Sequence, residues 1–129
     1  MPTVLVIDDE HMICWSIEQT LRSAGYDVAV AETATAGLAL FRDLRPDVVL
    51  LDVRLPDGNG LTVLDQIRHA CDHHAAVIVM SAWDEGATAA EAFQLGACAF
   101  LRKPFDFDTL QTLVQRAAAA SNRVGHSCS

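Results

Sequence analysis

Apolar residues fall along this chain in two rhythms that take turns. Unbroken runs, Thr3-Val4-Leu5-Val6-Ile7, Val48–Leu51 and Ala76–Met80, read as strands buried on both faces, the pattern of a parallel sheet. Tyr26–Ala31 and Cys98–Leu101 are expected as two further strands. Between the runs the apolar positions space out to helical intervals. Ile13, Ile17 and Leu21 recur every four residues up to Gly25, which predicts an amphipathic helix with a glycine stop. A helix opening at Thr33 is expected to carry Ala36, Leu40 and Leu44 on its inner face and to end before Pro46, because the residue before proline disfavours helical angles. Leu61, Leu64, Ile67 and Cys71 trace a third helix, and Glu85–Leu95 a weak, alanine-rich fourth stopped by Gly96. The last helix turns Leu110, Leu113, Val114 and Ala117 inward, with Asp106 or Asp108 as its cap. Pro56, Gly58 and Gly60 mark residues 53–60 as a loop.

Five strand–helix units in strict alternation predict an α/β sandwich around an all-parallel sheet, since each crossover is right-handed and covers a face. The 129 residues suffice for one domain with its own core. That domain is expected over residues 1–120, with 121–129, which carry no apolar period, as a linker or frayed tail.

Composition narrows the function classes. A formal net charge of −8 argues against direct binding of nucleic-acid phosphates and against an anionic membrane surface. The opening Met1-Pro2-Thr3-Val4 has no basic leader, and no apolar stretch approaches the length of about 18 residues that spans a bilayer, so a cytoplasmic protein is expected. Cys14, Cys71, Cys98 and Cys128 form no C-x-x-C pair, and the first three are expected as small core residues of a reducing compartment. His73-His74 lacks metal-ligand spacing and reads as polar loop.

The chemistry lies where the strands stop. The first ends on Asp8-Asp9 and the third on Asp52, and in open α/β sheets the working site lies outside the carboxyl ends of the strands. Carboxylates a few Å apart repel by roughly 4 kcal/mol per pair at an effective dielectric near 20, so such a cluster asks for a cation. The fourth strand ends at Ser81 and the fifth just before Lys103. Hard carboxylate oxygens suit Mg²⁺, a carboxylate can attack phosphorus, and a lysine with a hydroxyl can hold the remaining phosphoryl oxygens.

Those residues in that order, with Pro56, Gly60, Ala82, Gly96-Ala97 and Pro104-Phe105 at matching offsets, make the chain similar to the response-regulator receiver domains of bacterial two-component systems. The loop motif and the segment Arg102–Asp106 most resemble receivers of sigma-54-dependent transcriptional activators. The resemblance implies a flavodoxin-like (βα)5 fold with strand order 2-1-3-4-5. It implies that Asp52 accepts a phosphoryl group from a sensor histidine kinase, and that Asp8, Asp9, Asp52 and the backbone carbonyl of Arg54 hold Mg²⁺. Lys103 and Ser81 would bind the phosphoryl group, and Phe100 would swing inward when Ser81 moves toward it, although a plain core aromatic fits the residue too. A cis bond would fall at Lys103-Pro104. Such a domain is a phosphoacceptor assisting its own phosphorylation and slow dephosphorylation, not a turnover enzyme.

Arg54 and Trp83, each two residues past a site residue, either cover the phosphoryl group against water or meet as an exposed cation–π pair. The last two helices and the fifth strand, with Ala90, Phe93 and the alanines 117–120, would form a homodimer or docking face, or be core. Two other readings stand beside this one: an aspartate-nucleophile phosphatase, and a receiver-shaped docking module or single-domain relay without its own output.

Overall fold

The computed structural model of the chain describes residues 2–69, 75–82 and 86–124, with side chains for 2–69, 75–82 and 88–119. The elements run β1 (Thr3–Ile7), α1 (His11–Ser23), β2 (Asp27–Ala31), α2 (Ala34–Leu44), β3 (Val48–Asp52), β4 (Arg54–Leu55), β5 (Gly58–Asn59), α3 (Gly60–Arg68), β6 (Ala76–Ser81), α4 (Gly86–Gln94), β7 (Ala99–Arg102) and α5 (Phe107–Val124). The main sheet has the order β2-β1-β3-β6-β7 and every neighbouring pair is parallel. Setting aside the short β4–β5 ribbon, this is the expected flavodoxin-like 2-1-3-4-5 order.

The strands alternate their side chains between two cores, because successive residues point to opposite faces. Val4, Val6, Val48, Leu50, Ile78 and Met80 pack with Ile17 and Leu21 of α1 and Leu110 and Val114 of α5. Leu5, Ile7, Val49, Leu51, Val77 and Val79 pack with Phe41 of α2, Leu64 and Ile67 of α3 and Ala92 of α4. Burying each such side chain is worth about 1.5–3 kcal/mol, so both faces are covered and only the strand ends meet solvent. Those ends therefore carry the chemistry. Among the described residues no helix is long and apolar enough to cross a membrane.

The structure departs from the sequence expectations at four places. The inner face of α2 is built on Gly37 and Phe41, while Ala36 is exposed and Leu44 is 41% exposed. Gly37 lies so close to β1 that a Cβ there would stand 2.6 Å from Ile7 Cδ1, so the helix turns its smallest residue and its ring toward the sheet, and of the expected row only Leu40 packs partly buried against that core. The 53–60 loop is a hairpin, with Arg54 opposite Asn59 and Leu55 opposite Gly58 around Pro56-Asp57. Cys98 is exposed, because it sits in the turn before β7 and not in the strand; Cys14 is buried as expected, and Cys71 lies outside the described residues, as do His73 and His74. Finally, α5 continues to Val124, four residues into the stretch expected as linker or frayed tail: the run Ala117–Ala120 favours helix, and Ser121-Asn122-Arg123 contains no breaker. The Asp106 carboxylate accepts from Asp108 N at 2.9 Å, which settles the cap of that helix. The Lys103-Pro104 bond is cis, as the resemblance implied.

Candidate functional site

At the carboxyl edge of the sheet, β1, β3, β6 and β7 bring Asp8, Asp52, Ser81 and Lys103 together, and all four are buried. Asp8 directly follows β1 and is held in register by its own N–H, which donates to Ala31 O at 3.0 Å. Asp8 Oδ1 accepts from Glu10 N at 3.0 Å, and Oδ2 accepts from Lys103 Nζ at 2.7 Å. Both oxygens of this fully buried carboxylate are thus satisfied, which a charge away from water requires. Lys103 reaches the spot because its N–H continues the β6–β7 pairing, donating to Ser81 O at 2.7 Å.

Lys103 Nζ is the hub. It donates to Glu10 Oε1 at 2.8 Å and lies 3.3 Å from Asp52 Oδ2, besides its bond to Asp8. Burial works against its charge, but the bonds to Asp8 and Glu10 outweigh that and push its pKa upward. For Asp52 the balance is reversed: burial and the neighbouring Asp8 raise it to about 6, against the pull of Lys103. Asp52 Oδ1 also faces Arg54 N at 3.5 Å.

The loop after Asp52 is pinned down on each side. Val53 N donates to Met80 O at 3.1 Å and Gly60 N to Val53 O at 2.7 Å, closing the hairpin next to Asp52. Asn59 Oδ1 accepts from Leu61 N at 2.8 Å and starts α3. The resulting cleft, of about 240 Å³, is lined by Asp9, Glu10, Asp52, Arg54, Ser81 and Lys103 among others.

The sequence-predicted residues are thus distributed unevenly. Asp8, Asp52, Ser81 and Lys103 converge; Asp9 and Arg54 are exposed at the rim of the same cleft. Phe100 lies outside the cleft on β7, opposite Val79 in register and partly buried against the α2–α3–α4 core. Trp83 lies outside the described residues. One residue was missed: Glu10, whose carboxylate joins those of Asp8 and Asp52 in a group with oxygens within 4.8 Å of one another. The signal was present, since Asp8-Asp9-Glu10 is a run of three acids.

This oxygen-only donor set fits a hard divalent cation. Three carboxylates face one ammonium, so with all groups ionised the cluster has two negative charges in excess, the charge of one such ion.

Comparison with known proteins agrees with this geometry. The family model described as the response regulator receiver domain matches residues 4–115, and the chain belongs to that family, whose members are phosphoacceptor signalling domains of two-component systems that take phosphate from histidine kinases. It is 37% identical over 114 residues to the regulatory protein AtoC of Escherichia coli, covering 88% of this chain and 24% of AtoC. It is 40% identical over 116 residues to the DNA-binding transcriptional regulator NtrC of Salmonella typhimurium, covering 88% and 24%. The chain therefore spans about a quarter of the length of these relatives. Among solved structures, the Francisella response regulator 1452 receiver domain superposes with a TM-score of 0.87 at 29% identity, covering 94% of this chain and 99% of that one. NtrX from Brucella abortus superposes with a TM-score of 0.85 at 32% identity, covering 94% and 28%.

Proposed function

We propose that Asp52 is the phosphoacceptor of this receiver domain. The observation that supports it is the Lys103 ammonium bridging Asp8 and Asp52 on the floor of a small acidic cleft. A carboxylate oxygen of Asp52 attacks the phosphorus of a kinase phosphohistidine, the P–N bond breaks, and its electron pair leaves with the imidazole. Asp8 and Asp9, with Asp52 and the backbone carbonyl of Arg54, would hold Mg²⁺, which when bound would neutralise charge on the phosphoryl oxygens. Lys103 binds a phosphoryl oxygen, and Ser81 donates its hydroxyl to another. Movement of Ser81 toward the new group frees space for Phe100 to turn inward, coupling chemistry to the α4–β7–α5 face. Phe93 of α4 is 51% exposed and is offered to a second copy or another partner.

In this reading residues 1–120 form the phosphoacceptor unit of a cytoplasmic regulator and 121–129 lead out of it, with the output being transcription, as the names of the relatives suggest. Incubation with a small phosphodonor tests the class of activity. A slowly lost adduct of one phosphoryl group, formed with Mg²⁺ and absent with a chelator, supports a receiver. Rapid multiple turnover would mean a phosphatase, and no adduct an inert docking module.

A further inference from the structure

An ammonium has three hydrogens to donate, and those of Lys103 already have three carboxylates around them: Asp8 at 2.7 Å, Glu10 at 2.8 Å and Asp52 at 3.3 Å. The hydrogen facing Asp52 makes the longest of these contacts and passes to the arriving phosphoryl oxygen; for that bond to shorten, the ammonium must move toward it and one of the two shorter contacts must lengthen. Asp8 is poorly placed to yield, because it is fully buried, its other oxygen is engaged by Glu10 N, and releasing it would strand a charge away from water. Glu10 is placed to yield: its side chain is 53% exposed, so its carboxylate can exchange Lys103 for water at little cost.

We propose that Glu10 is a positioning residue that occupies Lys103 in the resting state and competes with the phosphoryl group for it. The inference rests on Asp52 being the acceptor. Glu10 thereby lowers the affinity of the site for a phosphoryl group while keeping the lysine aimed into the cleft. It acts through Lys103 and does not itself have to touch the transferred group.

Two variants separate the contact from the charge. Glu10→Ala removes both. Glu10→Asp keeps the charge on a chain one methylene shorter, which draws the carboxylate away from Nζ. The probe is beryllofluoride, a phosphoryl mimic, titrated at saturating Mg²⁺ into wild type and both variants, with thermal melts showing that each is folded. Exchange of one such hydrogen bond predicts binding about threefold to tenfold tighter in both variants. Equal or weaker binding in both overturns the proposal. So does tightening confined to Glu10→Ala that fades with added salt, which would reduce the effect to net charge. If wild type itself fails to bind, the assignment of Asp52 falls first, so the two failures are distinguishable. Glu10→Asp alone suffices should Glu10→Ala not fold.

Discussion

Gly60 stands against the backbone of Asp52 so closely that a Cβ on it would lie 2.1 Å from the Asp52 carbonyl oxygen. The obstacle is main chain, so no rotamer change relieves it. Gly60→Ala is expected to destabilise the domain by about 1–3 kcal/mol or more, the usual cost of overpacking, and to slow phosphorylation by displacing the acceptor strand end. Gly58, two residues earlier in the same hairpin, has open space around its would-be Cβ. Gly58→Ala is expected to be neutral to slightly stabilising. Thermal melts and adduct formation with the pair of variants check both statements.

The hairpin after Asp52 is also tied to α2. Asp57 Oδ1 accepts from Ala34 N at 2.7 Å, and Oδ2 accepts from Thr35 N at 3.1 Å and Thr35 Oγ1 at 2.9 Å. Thr33 caps the same helix locally, its Oγ1 accepting from Ala36 N at 3.0 Å. Both Thr33→Ala and Asp57→Ala should lower the melting temperature, but only Asp57→Ala should also loosen the hairpin, read as faster amide exchange over residues 53–60. The bonds from the helix N-terminus hold the Asp57 carboxyl below the ordinary carboxylate range. A depressed folded-state pKa gives stability that is present above the unfolded-state value and lost in acid. The gap between wild type and Asp57→Ala should therefore persist at neutral pH and close only as pH falls through that depressed pKa.

Asp52 has the opposite sign. Burial and Asp8 raise it from 3.8 to about 6, so its ionised form is disfavoured in the folded state. Its contribution to stability is full below the unfolded-state pKa and is lost as pH rises through about 6. In a chelator, Asp52→Asn should melt several degrees above wild type at neutral pH, with the advantage disappearing toward pH 3.8. Melts across that range check it; a variant less stable at neutral pH contradicts it. Mg²⁺ should narrow the gap, since it offsets the charge that makes ionised Asp52 costly.

Much of this is legible in the amino-acid sequence. Two-faced apolar runs define the sheet, and the polar residues that end them have to gather at one edge, which is why Asp8, Asp52, Ser81 and Lys103 stand out in the sequence. What escaped was decided by packing between elements distant in sequence. The α2 face depends on how near Gly37 comes to Ile7, and periodicity alone cannot report that distance. Glu10 escaped because a strand-end rule selects the first acids after β1, whereas its part in the site arises from the reach of Lys103, 93 residues away. The exposure of Cys98 turned on a shift of one residue in where β7 begins.

The central claim is that Asp52 takes the phosphoryl group. Wild type and Asp52→Asn, each incubated with Mg²⁺ and a small phosphodonor, are compared by intact mass and by peptide mapping after reduction of the acyl phosphate. The account predicts one phosphoryl adduct on wild type, mapped to Asp52, and none on Asp52→Asn. An adduct of equal yield on the folded variant, or one mapped to another residue of the wild type, would contradict it.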